Sequence, residues 1–413
     1  MDIIITNFEK TLPLFQEALA SCQFLAFDCE FSGLGVSTST IKEEDQVGDF
    51  QIVQLGITTY HQNEKTFAYK AKTFNFYVFP AAINRFKQNK LFISQPSAIK
   101  FLSEQSFDFN KLFYYGIPYL SKRDEELLRD FRQEEATSTR ENIEVDERGK
   151  AFLEQAIKDI EEWYNDPRDT GYMTIASQSA YCRRLLYQVI AEKYDKKIIA
   201  SGSKYGVKIN KYSEVAHAKD NAFRQKRLET EIEEMIGFRK VIDLMVDAQK
   251  PIVGHNLFMD LCHIMKQFLI DDLPETLGEF LTELQPRFPR IYDTKYLFDT
   301  AYDFKSPNTH DSSLSALKKL VSGPDFSMPE ISFDFEYGKY SGRGQTSAYH
   351  EAGYDSYVTG IVFIKLISKT ASLNKVKDLT WEHLSTLESV KLHVNKIHLS
   401  RGARHSLDLG ARL

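Results

Sequence analysis

The seven residues Phe24-Leu25-Ala26-Phe27-Asp28-Cys29-Glu30 constrain the fold of this chain more than any other stretch. A short apolar run of this kind is a buried strand, and it ends in two carboxylates two positions apart, which a pleated strand puts on one face. Like charges side by side at the end of a buried strand are costly unless a cation neutralises them. Strand ends are also where open α/β sheets gather their active sites. In isolation the pair reads more readily as two solvated acids at a turn before Ser32-Gly33, and it is the apolar strand before it that shifts the reading. The β-branched run Gln51–Thr58 and the alternating run Phe74–Phe79 supply two more strands, so the chain is expected to start as a sheet of at least three.

Strand and helix signals alternate again from Pro251. Pro251-Ile252-Val253-Gly254-His255-Asn256 reads as a buried strand end entering a helix from Leu257 to about Phe268. Arg290–Asp293 is a further short strand, and Ser313–Val321 and Tyr349–Ile367 are helices. Between these halves the pattern changes. From Ser121 to Lys150, seventeen of thirty residues are charged, which predicts an exposed or disordered connection. Helical spacing follows over Ala151–Tyr164, and a charged helix over Asp220–Glu234. The predicted organisation is an α/β domain split into residues 1–120 and 235–370, a charged linker at 121–150, a smaller inserted domain at 151–234, and a tail at 371–413.

The inserted stretch is basic in a chain that is acidic as a whole. The 413 residues carry a net charge of −6, yet Arg183–Lys211 holds eight basic residues against Glu192 and Asp195, with Tyr181, Tyr187, Tyr194 and Tyr205 among or beside them. Cations interleaved with flat rings suit single-stranded nucleic acid. The same lysines also fit the solvated side of a helix whose apolar face is Leu185, Leu186, Val189 and Ile190. Cys22, Cys29, Cys182 and Cys262 form no CxxC pair, so neither a disulfide framework nor a zinc ribbon is supported, and a reducing compartment fits. No stretch approaches the ~20 apolar residues that span a bilayer, and Met1–Asn7 has no basic, apolar leader pattern. Membrane spanning and secretion are not expected; nucleus and cytoplasm both stay open.

Three more groups complete the candidate chemistry. Asp260 stands among Leu257, Phe258, Leu261, Ile264 and Met265, so it needs a partner. Asp355 follows His350 by five residues, about 140° around a helix, so Asp355 can face a metal from the helix while His350 stands at its start. Four carboxylates and a histidine from separate elements suit phosphoryl transfer assisted by two Mg²⁺ ions, with a neutral histidine as general base.

At these residues the chain resembles the DEDDh 3′-to-5′ exonucleases, in particular the poly(A)-specific ribonuclease (PARN) family with its piRNA-trimming branch. The resemblance rests on Asp28-Cys29-Glu30-Phe31-Ser32-Gly33-Leu34, on Gly254-His255-Asn256 leading to Asp260, and on His350-Glu351-Ala352-Gly353-Tyr354-Asp355. The segments Phe74–Pro80, Phe107–Leu120 and Phe288–Lys295 are also similar to family segments. It implies an RNase H-like α/β fold, a mixed sheet flanked by helices, interrupted by a small α/β domain of the Arg-x-x-x-His type. It implies Asp28, Glu30, Asp260 and Asp355 as ligands of two Mg²⁺ ions, with Mn²⁺ as a substitute, and His350 as base. Phe31, Leu34, Phe113, His255 and Lys295 are implied to hold the terminal nucleotides of a single-stranded RNA 3′ end, and the active form is implied to be a homodimer. Two departures stand out: Arg183 is followed four residues on by Tyr187 instead of histidine, and no RNA-recognition-motif domain precedes the last residue, Leu413. Cap-stimulated activity is therefore not expected.

The expected activity is Mg²⁺-dependent shortening of oligo(A) tails or small-RNA 3′ extensions with release of 5′-monophosphates. A DNA-directed exonuclease with the same site is the enzymatic alternative. A non-catalytic RNA-binding or assembly factor on a nuclease fold would be expected to lack at least one of the five catalytic candidates, and all five are present.

Overall fold

The computed structural model describes residues 1–34, 50–80, 91–137, 142–168, 171–177, 179–300, 311–334, 350–399 and 406–410. They form two compact units, one from Met1–Leu128 with Glu234–Leu413 and one from Arg129–Glu233.

The first unit is built on a mixed sheet. Its strands are β1 (Asp2–Ile3), β2 (Phe24–Phe31), β3 (Ile52–Gln62) and β4 (Tyr69–Tyr77), then β8 (Ile252–Gly254), β9 (Ile291–Asp293), β10 (Ile331–Phe333), β11 (Lys396–His398) and β12 (Ser406–Asp408), with β5 to β7 falling in the second unit. The order is β1-β4-β3-β2-β8-β9-β11-β12, with β10 also on β4. β2, β3 and β4 run antiparallel, whereas β8 and β9 continue parallel to β2.

Alternation along β2 sorts its side chains between two cores. Leu25, Phe27 and Cys29 join one core with Phe8, Phe15, Val241, Leu261 and Phe268 from helices on that side. Phe24 and Ala26 join the other, with Val358, Val362, Phe363 and Leu317. Asp28 and Glu30 therefore share the face covered by the helix Ala352–Leu373.

Two sequence expectations are corrected here. The stretch 121–150 is not an unstructured linker: Lys122–Thr137 is a helix and another begins at Glu147, while 138–141 lies outside the described residues. Its charges are used as partners. The Asp124 carboxylate accepts from the Ser121 N–H at 3.1 Å and hydroxyl at 2.6 Å, Leu128 one turn on is buried, and Glu125 pairs with Arg239. Nor is 371–413 a tail, because β11 and β12 extend the sheet beyond β9 and the Ile397 side chain is fully buried. Three-residue strands carry too little pattern to be read from sequence.

The second unit holds a three-stranded antiparallel sheet in the order β5-β7-β6, from β5 (Tyr172–Ala176), β6 (Ile198–Ser203) and β7 (Gly206–Lys211). Its inner face packs Ile175, Val207, Ile209 and Ile198 against Ala156, Ile160, Leu186 and Ile190 of the helices Glu147–Asn165 and Ala180–Lys193. Thus Leu185, Leu186, Val189 and Ile190 form the buried face of their helix.

Candidate active site

The site is assembled by the register of β2 on β3 and by one glycine. Asp28 lies across from Gly56 and Glu30 across from Gln54. A Cβ added to Gly56 would stand 2.0 Å from the Ala352 carbonyl oxygen and 2.3 Å from the Gly353 nitrogen. The start of the helix Ala352–Leu373 therefore rests directly on the β3 backbone beside Asp28. Its free N–H groups are taken by side chains of the sheet: Ala352 N–H donates to Gln54 Oε1 at 2.9 Å and Gly353 N–H to Asn75 Oδ1 at 3.0 Å. Asn75 Nδ2 in turn donates to Glu351 Oε1 at 3.0 Å. Thr58, opposite Thr73 in the sheet, bonds Ser356 at 2.8 Å one turn further along. These contacts fix the first turn, and Asp355 stands in it.

The outcome is a group of three carboxylates, Asp28, Glu30 and Asp355, whose ligand atoms lie within 4.8 Å of one another. Glu30 and Asp355 are buried, and Asp28 keeps an opening. Burial, followed by the charges of Asp355, Asp260 and Glu30, raises the Asp28 pKa well above the usual carboxylate range; burial and the charges of Asp355 and Asp260 do the same to Glu30. Burial takes Asp355 up to about 7 against the opposing effect of the His350 backbone N–H, which donates to its Oδ2 at 2.9 Å. The other oxygen, Asp355 Oδ1, is buried with no hydrogen-bond partner among the described residues. A buried orphan acceptor within a cluster of oxygens is the donor set of a hard divalent cation. These residues fit Mg²⁺.

Asp260 comes from the opposite layer. Its helix, Phe258–Ile264, packs in the core on the Cys29 side of β2, and the Cys29 thiol and backbone hydrogen-bond to its carboxylate. Burial still takes Asp260 up to about 7. Asp260 thus raises Asp28 by its charge while standing outside the three-carboxylate group.

His350 precedes the helix in a left-handed conformation, φ 67°, with its ring edge-on to Phe101 at 4.8 Å. Partial burial lowers its pKa, which keeps the imidazole neutral near pH 7. Phe31 follows an irregularity in the β2–β3 pairing and lies 4.5 Å from the His263 ring. Opposite, Gln267 in the π-helical turn Met265–Leu269 accepts the Ile52 N–H at 2.8 Å. Leu34 is exposed, its N–H donating to Gln95 Oε1 at 3.2 Å. His255 Nδ1 is 2.9 Å from Thr294 Oγ1, and burial, Lys295 and His398 push its pKa down to about 3. Phe113 belongs to a separate aromatic group with Phe79 at 5.5 Å and Phe92 at 5.7 Å.

One organising residue was missed from sequence. Asp293 at the end of β9 is 1% exposed and accepts four backbone N–H groups, from Asn256 at 3.0 Å, Lys295 at 2.9 Å, Tyr296 at 3.4 Å and His398 at 2.9 Å. It ties the His255 loop, the helix carrying Lys295 and β11 together. An aspartate closing an apolar strand just before a helix was the available signal.

The CAF1 family ribonuclease model matches residues 3–363. The chain belongs to the CAF1 ribonuclease family. Among curated CAF1-family relatives, the poly(A)-specific ribonuclease PARN of Xenopus laevis is 31% identical over 412 residues, covering 92% of this chain and 64% of its own length. The pre-piRNA 3′-exonuclease trimmer of Bombyx mori is 30% identical over 433 residues, covering 97% and 77%. The chain therefore spans a little under two thirds of the first of these relatives. Among solved structures, S. pombe Pop2p in its Mg²⁺- and Mn²⁺-bound form aligns with 96% of this chain and 97% of its own at 14% identity and a TM-score of 0.41.

Proposed function

We propose that this chain is a divalent-metal-dependent 3′-to-5′ exoribonuclease acting on single-stranded 3′ ends, either oligo(A) tails or small-RNA extensions. The observation that carries the reading is the convergence of Asp28, Glu30 and Asp355, together with a buried Asp355 Oδ1 that has no hydrogen-bond partner among the described residues. Asp28, Glu30 and Asp355, with Asp260 from the far layer, are the residues that would hold two Mg²⁺ ions or Mn²⁺ in their place. Bound there, the cations would activate the attacking water and neutralise the leaving 3′ oxygen.

The chain's own groups do the rest. The unprotonated ring nitrogen of His350 accepts a proton from water as the new oxygen–phosphorus bond forms and the bond to the 3′ oxygen breaks, and a nucleoside 5′-monophosphate leaves. The His350 backbone bond to Asp355 Oδ2 holds base and carboxylate in one register. Lys295 offers a cation to the terminal phosphates, and His255, kept neutral, offers a hydrogen bond. Phe31 and Leu34 supply stacking and apolar contact for terminal bases, and Phe113, which stands in a separate aromatic group, joins this reading only through the family resemblance. A homodimer belongs to this reading through the family resemblance.

The test uses 5′-labelled RNAs of equal length, one ending in adenosines and one in mixed sequence, with Mg²⁺ and then with EDTA. A one-nucleotide ladder that needs Mg²⁺ and disappears in Asp28→Ala supports the reading, and the ratio of the two rates separates tail removal from general trimming. Intact RNA with retained binding sinks it in favour of a binding factor.

A further inference from the structure

The helix Phe258–Ile264 and its continuation do more than carry Asp260. Cys29 and Phe31 both face the core on one side of β2, and the helix meets them in turn: Cys29 against Asp260, then Phe31 4.5 Å from the ring of His263, three residues on. His263 is 1% exposed and its ring hydrogen-bonds the Phe50 backbone; burial takes its pKa down to about 4, so it stays neutral. The Phe50 ring lies so close over Gly33 that a Cβ there would stand 2.4 Å from it. Beyond His263 the helix changes its winding. The Ile270 N–H donates to the Met265 carbonyl, five residues back, at 2.9 Å, which closes the π turn Met265–Leu269. Single π turns recur at functional sites. This one carries Gln267, itself 9% exposed, whose amide meets the Ile52 backbone with both its atoms: Oε1 accepts the N–H at 2.8 Å and Nε2 donates to the carbonyl at 3.4 Å. Ile52 pairs with Phe31 at the point where the β2–β3 register shifts. Gln267 therefore takes the place of a neighbouring strand where the ladder is interrupted.

We infer that His263 and Gln267 are positioning residues for the RNA 3′ end: His263 backs the Phe31 ring, Gln267 holds the irregular strand pairing from which Phe31 projects, and the helix of Asp260 thereby sets where the terminal base lies. The inference rests on the reading of the site as a nuclease and of Phe31 as a contact for a terminal base. Phe31 is half-buried, so part of its ring stays available to a ligand. Neither support belongs to the three-carboxylate group. Removing one leaves the Phe31 ring in place but free to change rotamer, which weakens stacking by loss of preorganisation and leaves Asp28, Glu30 and Asp355 untouched.

The test compares two fluorescein-labelled RNAs that differ only at the 3′ end, one finishing in adenosine and one in an abasic residue, bound to the full chain in EDTA. The wild type is expected to prefer the adenosine end about tenfold, the effect of one stacked base. Gln267→Leu and His263→Ala lose the preference, binding the adenosine end more weakly and the abasic end as before, while His263→Phe, which keeps a ring behind Phe31, retains it. With Mg²⁺ the same loss shows as a raised KM with kcat within about twofold of wild type. In a Phe31→Ala background neither change weakens binding further, because both act through that ring. Melting temperatures show which variants fold; if Gln267→Leu does not, the two His263 variants carry the same cycle. A preference kept in the folded variants overturns the inference, as does a loss of equal size with and without Phe31, or a wild type that does not distinguish the two ends. A wild type that cuts nothing, yet shows the preference and loses it in these variants, overturns the nuclease reading and leaves this one standing.

Discussion

The two sheets among the described residues carry charge in opposite ways. On β2, Asp28 and Glu30 face a helix packed so closely that Gly56 has no room for a methyl group, and the carboxylates share a pocket that raises both their pKa values. On the sheet β5-β7-β6, cations stand beside exposed rings with solvent screening them. Buried like charges are paid for by packing elsewhere and become useful only with a counter-ion. Surface cations cost little and bind weakly one at a time. The first sheet can therefore hold a metal in fixed geometry, whereas the charges of the second need no counter-ion to be accommodated.

The largest expected effect breaks the first half of that comparison. Asp28→Asn keeps the volume and removes the charge, and the cleavage rate should fall by on the order of 10³, with folding retained, in a single-turnover assay. Next comes the packing. Gly56→Ala should destabilise the chain by about 3 kcal/mol in urea unfolding and abolish Mg²⁺ binding, because the helix carrying Asp355 must move. The matched change Gly202→Ala meets only the Tyr187 hydroxyl at 3.6 Å and should stay within about 0.5 kcal/mol of wild type.

The pH dependence sharpens the same contrast. Folded Asp260 and Asp355 titrate near 7 without metal, above the unfolded carboxylate range, so they favour folding at low pH and that contribution is lost as pH rises through about 7. Cations take the deprotonated form. The rise in melting temperature on adding Mg²⁺ should therefore grow from pH 6 to pH 8. Using the difference with and without Mg²⁺ cancels groups far from the site, such as His61, whose pKa burial takes down to about 4. A flat difference would mean that the carboxylates are not the ligands. The smallest effect belongs to the second unit: Arg129→Ala removes a surface pair with Glu229 at 2.7 Å and should cost about 0.5 kcal/mol, read by the same unfolding assay.

How much of this was legible follows from range. Asp28 and Glu30 could be picked out because the signal is local, an apolar strand ending in acids. The spacing of His350 and Asp355 was equally local. Gly56, Gln54 and Asn75 were invisible, since their roles depend on a helix that begins at Ala352, some 300 residues on. That Asp260 stands in the other layer, against Cys29, follows from which face Cys29 occupies, which only the paired sheet reveals. The misread stretch 121–150 shows the converse error, where dense charge looked like solvation although Asp124, Glu125 and Leu128 each had a buried partner or place.

The most direct test of the central claim is anomalous diffraction from crystals of the chain soaked in Mn²⁺. The account predicts manganese peaks about 2.2 Å from oxygens of Asp28, Glu30 and Asp355, with Asp355 Oδ1 among the ligands. Peaks only at surface carboxylates, with Asp28, Glu30 and Asp355 sharing protons instead, would contradict it.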